Sequence, residues 1–290
     1  MRTRAHNEAV SPDAEQGDFY DLVPSASATL PRLTGGVVHR PDHDTLIDAL
    51  LAELSIHARN CIRAFGDFQF AVSATEEVEP FLRRLMYDLN HREFPWARTR
   101  VWSVDEVLAS DEEDTRAARL RGLILDQSGL PPEQFHALRL TAPVSEGIAA
   151  YEAELRQHLG WREKGHDRLD FALLTLSPTG GVAGFEWLEE APPADDTRLV
   201  HEVNQQASAC GDDGSVPRRP VPCVSMSMAF LNASRMIAVI AAGESRRAAV
   251  ARMAEAVRRR RRELAAPALY LSPMAGELRF YLDNAACPTP

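Results

Sequence analysis

Leu169-Asp-Phe-Ala-Leu-Leu-Thr-Leu-Ser-Pro-Thr-Gly-Gly181 is the stretch whose reading decides the fold. Its first eight residues are almost continuously apolar, the pattern of a parallel strand covered on both faces. Just upstream, Ile148, Tyr151, Leu155 and Leu159 recur at helical spacing and predict a helix over 145–159. The alternation continues toward the N-terminus. Phe68–Ser73, Thr99–Val104 and Phe135–Leu140 read as strands, and 43–63, 76–89 and 113–127 as helices. The first of these helices carries Leu46, Leu50, Leu54 and Ala58 on one stripe, widened by Ile47 and Leu51. The second turns Phe81, Leu82, Leu85 and Leu89 inward, with Pro80 in its first turn. Downstream, Thr197–Val203 alternates like an edge strand, and Pro222–Met228 and Met236–Ala241 are strands. A helix follows over 245–264, and Ala268–Leu271 and Leu278–Leu282 are the last strands.

Strand–helix alternation implies a three-layer α/β/α fold with a mostly parallel, Rossmann-like sheet. Residues 41–290 read as one domain. Residues 1–40, with Pro12, Pro24, Pro31 and the pair Gly35-Gly36, read as a flexible arm. The stretch 186–218, rich in Pro, Asp, Gly and Ser, reads as a surface loop.

The 290 residues include 32 Lys and Arg against 42 Asp and Glu, for a formal charge of −10, and 45% are apolar. That is too apolar for a disordered chain, and the acidic balance disfavours nonspecific nucleic-acid binding. No apolar run approaches the ~20 residues of a membrane span. The first residues lack the apolar core of a secretory signal, so a cytoplasmic protein is expected. Cys61, Cys210, Cys223 and Cys287 have no CxxC spacing and read as thiols in a reducing compartment. The Arg258–Arg262 run reads as a solvated helix end that complements the dipole. Lys164, the sole lysine, lies in a polar stretch and does not suggest a Schiff base. His, Cys and carboxylate residues show no metal-ligand spacing, and Walker, GxGxxG and GxSxG motifs are missing. No metal and no cofactor is expected.

In open parallel sheets, ligands bind beyond the carboxyl ends of the strands. Three such ends stand out: Ser73-Ala-Thr-Glu-Glu77, Val104-Asp-Glu106 and Ser177-Pro-Thr-Gly-Gly181. Together with Cys223-Val-Ser225, Leu231-Asn-Ala-Ser-Arg235, Gly243-Glu-Ser-Arg246 and Phe280-Tyr-Leu-Asp-Asn-Ala285, they follow the order of seven family segments. The chain resembles, over about residues 42–286, the 6-phosphogluconolactonases, which are related more distantly to the glucosamine-6-phosphate isomerases. The LNxA and YLDxxA segments place it nearer the lactonase branch. The resemblance implies this fold, a sugar-phosphate ligand and lactone hydrolysis in the pentose phosphate pathway.

Several family residues are replaced. The resemblance puts a phosphate-cradling SGGST turn at residues 73–77, but here Ala74 and Thr75 take the place of its glycines. Glu76, Glu77 and Glu79 crowd the helix start, which Thr75 is expected to cap. A carboxylate ~5 Å from a phosphate charge costs on the order of 3 kcal/mol at an effective dielectric of 20. The family's DGH motif supplies the histidine credited with activating water; that position is Gly181, and the motif's Asp is Thr179. Two family arginines become Val107 and Cys223. Ser73, Asp105, Glu106, Gly180 and Arg246 keep the family's character, and with Thr75 and Gly181 they make up the candidate ligand site. Asp105 is expected to face the pocket and Glu106 a neighbouring helix. His136 reads as a strand-surface residue, His166 as a turn residue, and His201 as part of the edge strand. The expectation is a lactonase-like protein that has lost hydrolysis and persists as a binding or regulatory homologue. The alternative is an active hydrolase whose catalytic groups have moved. A third reading is a new activity on a neutral or cationic ligand.

Overall fold

The central strand buries both of its faces, and its neighbours follow the same period of two. In the computed structural model, Phe171 and Leu173 enter one hydrophobic cluster while Ala172 and Leu174 enter the other. Met236, Ala238 and Ile240 likewise face one side, and Ile237, Val239 and Ala241 the opposite side. The structure describes residues 30–108, 113, 115–140, 143–160, 162–163, 167–186, 188, 190–193, 196–204, 222–261 and 266–288.

In chain order the elements are β1 (Gly36–Arg40), α1 (His43–Phe65), β2 (Phe68–Val72), α2 (Glu79–Tyr87), β3 (Thr99–Ser103), β4 (Asp105–Val107), α3 (Arg116–Leu120) and β5 (Phe135–His136). There follow α4 (Val144–Leu159), β6 (Phe171–Thr175), β7 (Val200–Asn204), β8 (Pro222–Met226), α5 (Met228–Asn232), β9 (Met236–Ala241), α6 (Arg247–Arg258) and β10 (Glu277–Asp283). Seven strands form one wholly parallel sheet in the order β1-β10-β9-β6-β2-β3-β5. Residues of α1 and α2 fill one cluster, and those of α4 and α6 fill the other. The three-layer α/β/α reading therefore holds.

The structure departs from the sequence reading at several places. Gly36–Arg40, expected at the end of an arm, is an edge strand paired with β10; residues 1–29 lie outside the described residues. β8 does not join the main sheet but lies between β4 and β7 in a small antiparallel sheet. β7 is the edge strand of that sheet and interrupts the expected 186–218 loop, of which 205–218 lies outside the described residues. The strand expected over Ala268–Leu271 is instead part of a 3-10 helix, Pro267–Tyr270, which Pro267 opens in its first turn. The helix expected over 113–127 starts at Arg116 and ends in a π-helical turn, 121–125. The helix expected over 76–89 opens with a 3-10 turn and stops at Tyr87, leaving Leu89 72% exposed. The strand over Phe135–Leu140 shrinks to two residues. Lys164, His166, Cys210 and Arg262 lie outside the described residues.

One charge sits where the apolar central run begins. Asp170, fully buried, accepts from Gln69 N at 2.8 Å, from Arg162 at 2.8 and 3.0 Å and from Arg235 Nε at 3.0 Å. Both guanidinium groups lie over the Phe65 ring, at 5.2 and 4.2 Å. The carboxylate thus locks β2, β6 and the segment before β9 at their amino ends. Removing one member of a buried ion cluster strands the remaining charges. Asp170→Ala is expected to lower the unfolding free energy by about 3–5 kcal/mol in urea denaturation.

Candidate functional site

The three strand ends singled out by the sequence converge. Beyond β2, Ser73 donates its N–H to Leu173 O at 2.9 Å. Its hydroxyl, on a residue 1% exposed, has no hydrogen-bond partner among the described residues. Thr75 begins the 3-10 turn of Glu76–Val78, but its side chain makes no cap bond. The Thr75 hydroxyl lies instead 3.0 Å from that of Thr175, at the end of β6. This corrects the expected side-chain cap. Glu76 pairs with Arg119 at 3.5 Å, and Glu77 forms an ion pair with Arg246. Burial raises the Glu77 carboxyl, but its own backbone N–H, the Thr75 hydroxyl and Arg246 outweigh burial and hold it below the usual value.

The second strand end turns two adjacent carboxylates to different tasks. Asp105 is fully buried in an ion pair with Arg116. Glu106 accepts from the backbone N–H groups of Val107, Arg116 and Ala117 at 2.7–2.8 Å, and so holds the N-terminus of α3. Burial raises its pKa against those three bonds. Contrary to expectation, Asp105 does not line the cleft but is buried behind Arg116; Glu106 faces a helix as expected and does not line it either. Burial lowers the Arg116 pKa, while the charge of Glu186 acts in the other direction.

The third end is a tightly folded turn. Ser177 N donates to Gly181 O at 2.9 Å, and Gly181 N donates to Ser177 Oγ at 2.9 Å. Val182 and Phe185 then exchange both backbone bonds, at 3.0 and 2.9 Å, around Ala183 and Gly184, whose φ angles are 52° and 76°. Two consecutive positive φ values make a type I′ hairpin turn. That hairpin folds Glu186 back over Gly181. Glu186 Oε2 accepts from Ser177 Oγ at 2.7 Å and also from the Thr179 hydroxyl. A Cβ on Gly181 would lie 2.6 Å from Phe185 O and 2.7 Å from Glu186 Oε2. One on Gly184 would lie 2.6 Å from Cys223 Sγ. No side chain fits at position 181 in this backbone. A carboxylate fills the space.

These groups enclose a cavity of about 330 Å³ whose lining includes Ser73, Thr75, Glu77, Arg116, Arg119 and Glu186. Arg246 closes one side, its Nε donating to Leu176 O at 3.2 Å. Past the Glu77–Arg246 pair lies a second cavity of about 250 Å³, which both residues also line. Of the residues expected at the site, Ser73, Thr75 and Gly181 line the larger cavity, and Arg246 borders it. Thr179 and Gly180 build the turn, with Gly180 at φ 92°. Glu186, Arg116 and Arg119 were not singled out by the sequence reading. The i, i+3 arginine pair on a predicted helix was the available signal; Glu186 had none, because the hairpin that delivers it depends on Ala183 adopting positive φ.

The histidines weighed as substitutes fall elsewhere. His201 pairs with Asp196, and His166 lies outside the described residues. His136 is buried rather than on a strand surface, stacked on Trp102 at 4.0 Å. Arg258 and Arg259 pair with Glu255 at the end of α6. Cys61, Cys223 and Cys287 are free and buried, and burial pushes the Cys223 thiol up to about 11. Among the described residues no helix is long and apolar enough to cross a membrane.

Known proteins place this architecture. Residues 41–280 match the family model of glucosamine-6-phosphate isomerases/6-phosphogluconolactonase. A 6-phosphogluconolactonase from Nostoc sp. is 25% identical over 248 residues, covering 85% of this chain and 94% of that one. The GDH/6PGL endoplasmic bifunctional protein of Oryctolagus cuniculus is 24% identical over 251 residues; the match covers 84% of this chain but spans only 29% of that protein. Among solved structures, the Thermotoga maritima 6-phosphogluconolactonase superposes with a TM-score of 0.66 at 18% identity, covering 85% of this chain and 99% of its own. A monomeric glucosamine-6-phosphate deaminase gives a TM-score of 0.64, also at 18% identity, covering 87% of this chain and 98% of its own. The fold, the order of its strand-end motifs and the extent of the family match converge on one statement: this chain belongs to the glucosamine-6-phosphate isomerase/6-phosphogluconolactonase family.

Proposed function

We propose that this protein is a 6-phosphogluconolactonase-like homologue that has given up histidine-dependent lactone hydrolysis and uses its cleft to bind a hydroxyl-rich sugar-type ligand, in a cytoplasmic setting within sugar-phosphate metabolism. One observation carries the reading: Glu186 occupies the space into which a side chain at position 181 would project. The charges around it agree. Arg116, Arg119 and Arg246 each pair with a carboxylate, and Glu186 is a fourth carboxylate with no arginine of its own among the described residues. A dianionic phosphate would have to break one of these pairs and face the carboxylates it released. Sugar hydroxyls meet no such penalty. The Thr75–Thr175 hydroxyl pair, on the cavity lining, offers them partners.

Glu186 itself favours a second reading, an active lactone hydrolase with a relocated base. In that scheme the carboxylate takes a proton from water as its oxygen bonds to the lactone carbonyl carbon. The ring C–O bond then breaks, and the ring oxygen leaves with that proton. Arg116, on the same cavity, is placed to steady the oxyanion.

Hydrolysis of 6-phosphogluconolactone separates the two. The binding reading expects no rate above spontaneous opening. An acceleration that falls ~10²–10⁴-fold in Glu186→Gln would overturn it in favour of the relocated base. Thermal shift tests the ligand class: gluconate is expected to raise Tm at least as much as 6-phosphogluconate. A larger rise with the phosphorylated acid, lost in Arg246→Ala, would establish a surviving anion site and reject the charge argument. Gly181→His is expected to restore no activity and to lower unfolding stability by ~1–3 kcal/mol in denaturant titration, because its Cβ meets backbone at Phe185.

A further inference from the structure

A second cluster of chemistry-bearing side chains lies at the β5 edge of the sheet and shares no residue with the cleft. Glu154 and His158 stand four residues apart on α4 and so share a helix face, and β5 brings His136 against them. One ligand atom from each of the three lies within 4.8 Å of the other two. His136 Nδ1 is 2.6 Å from Glu154 Oε1, and the two imidazole centroids are 4.6 Å apart. The Glu154 side chain is 38% exposed, so the cluster is open to ions from solvent.

The donor set suits a metal. Two imidazoles and one carboxylate are the ligands of a three-ligand zinc site, with a fourth position left to water. Arg100 also approaches His136, at 3.3 Å from Nε2. Imidazole nitrogens select Zn²⁺, Co²⁺, Ni²⁺ or Cu²⁺ over Mg²⁺ and Ca²⁺.

We propose that His136, Glu154 and His158 form a binding site for a borderline divalent cation such as Zn²⁺, which pins α4 to the edge strand β5. The ion replaces the 2.6 Å contact between His136 Nδ1 and Glu154. An imidazole bound through Nδ1 carries its proton on Nε2, so Arg100 turns toward Asp67, whose Oδ2 already lies 3.9 Å from its Nε. Tetrahedral bonds of ~2.0–2.2 Å need ligand atoms about 3.4 Å apart, which side-chain rotation supplies. The sequence reading found no ligand spacing because the i, i+4 pair on α4 is only two ligands; the third comes from another layer.

The test is calorimetric titration of the EDTA-treated full chain with Zn²⁺ in millimolar Mg²⁺. One ion per chain is expected, with affinity reduced at least tenfold in both His158→Ala and Glu154→Gln. Their metal-free melting curves should match the parent, since both side chains are partly exposed on α4. A second readout is tryptophan fluorescence: Cu²⁺ is expected to quench Trp102, stacked on His136, and the quenching is expected to disappear in His158→Ala. Absence of saturable Zn²⁺ uptake, or uptake unchanged in both variants, would overturn the assignment.

Discussion

A parallel sheet buried on both faces has no room for charge except at its ends. Phe171–Thr175 and Met236–Ala241 send alternate side chains into two separate apolar clusters, and every polar function is displaced beyond them. The two ends are used differently. At the amino end, Asp170 ties Arg162 and Arg235 into a largely buried cluster that locks neighbouring strands. At the carboxyl ends, Ser73, Thr75, Thr175 and Ser177 line an open cavity. The first arrangement is architecture, and the second is the proposed ligand site.

Within that cleft, a single hairpin governs the electrostatics. Ala183 and Gly184 both take positive φ, the chain reverses, and the Glu186 carboxylate lands over Gly181. The Ser177 and Thr179 hydroxyls then hold it there. Each nearby arginine meets an acid: Asp105 behind Arg116, Glu76 beside Arg119, and Glu77 against Arg246. In this cleft three arginines therefore face four carboxylates. An arginine already paired with a carboxylate contributes little net field to an incoming anion, which is why family membership alone does not assign the family's substrate to this chain.

Sequence by itself determined the three-layer α/β/α class, because burial on two faces leaves continuous apolar runs and burial on one face of a helix leaves a 3.6-residue stripe. It also located the three strand ends that converge beyond the sheet. Ala268–Leu271 was misread, since an apolar run of four does not distinguish a strand from a 3-10 turn. Leu89 was misread because the end of α2 depends on Asp88 leaving helical backbone geometry. The separate small sheet of β4, β8 and β7 was invisible, because strand pairing is a non-local choice. Tertiary structure alone decided which side chain fills the place at Gly181, which carboxylate each arginine meets, and that His136 joins Glu154 and His158. The reason is physical: periodicity records which face of an element is buried, but contacts between residues distant in sequence exist only once the layers have packed.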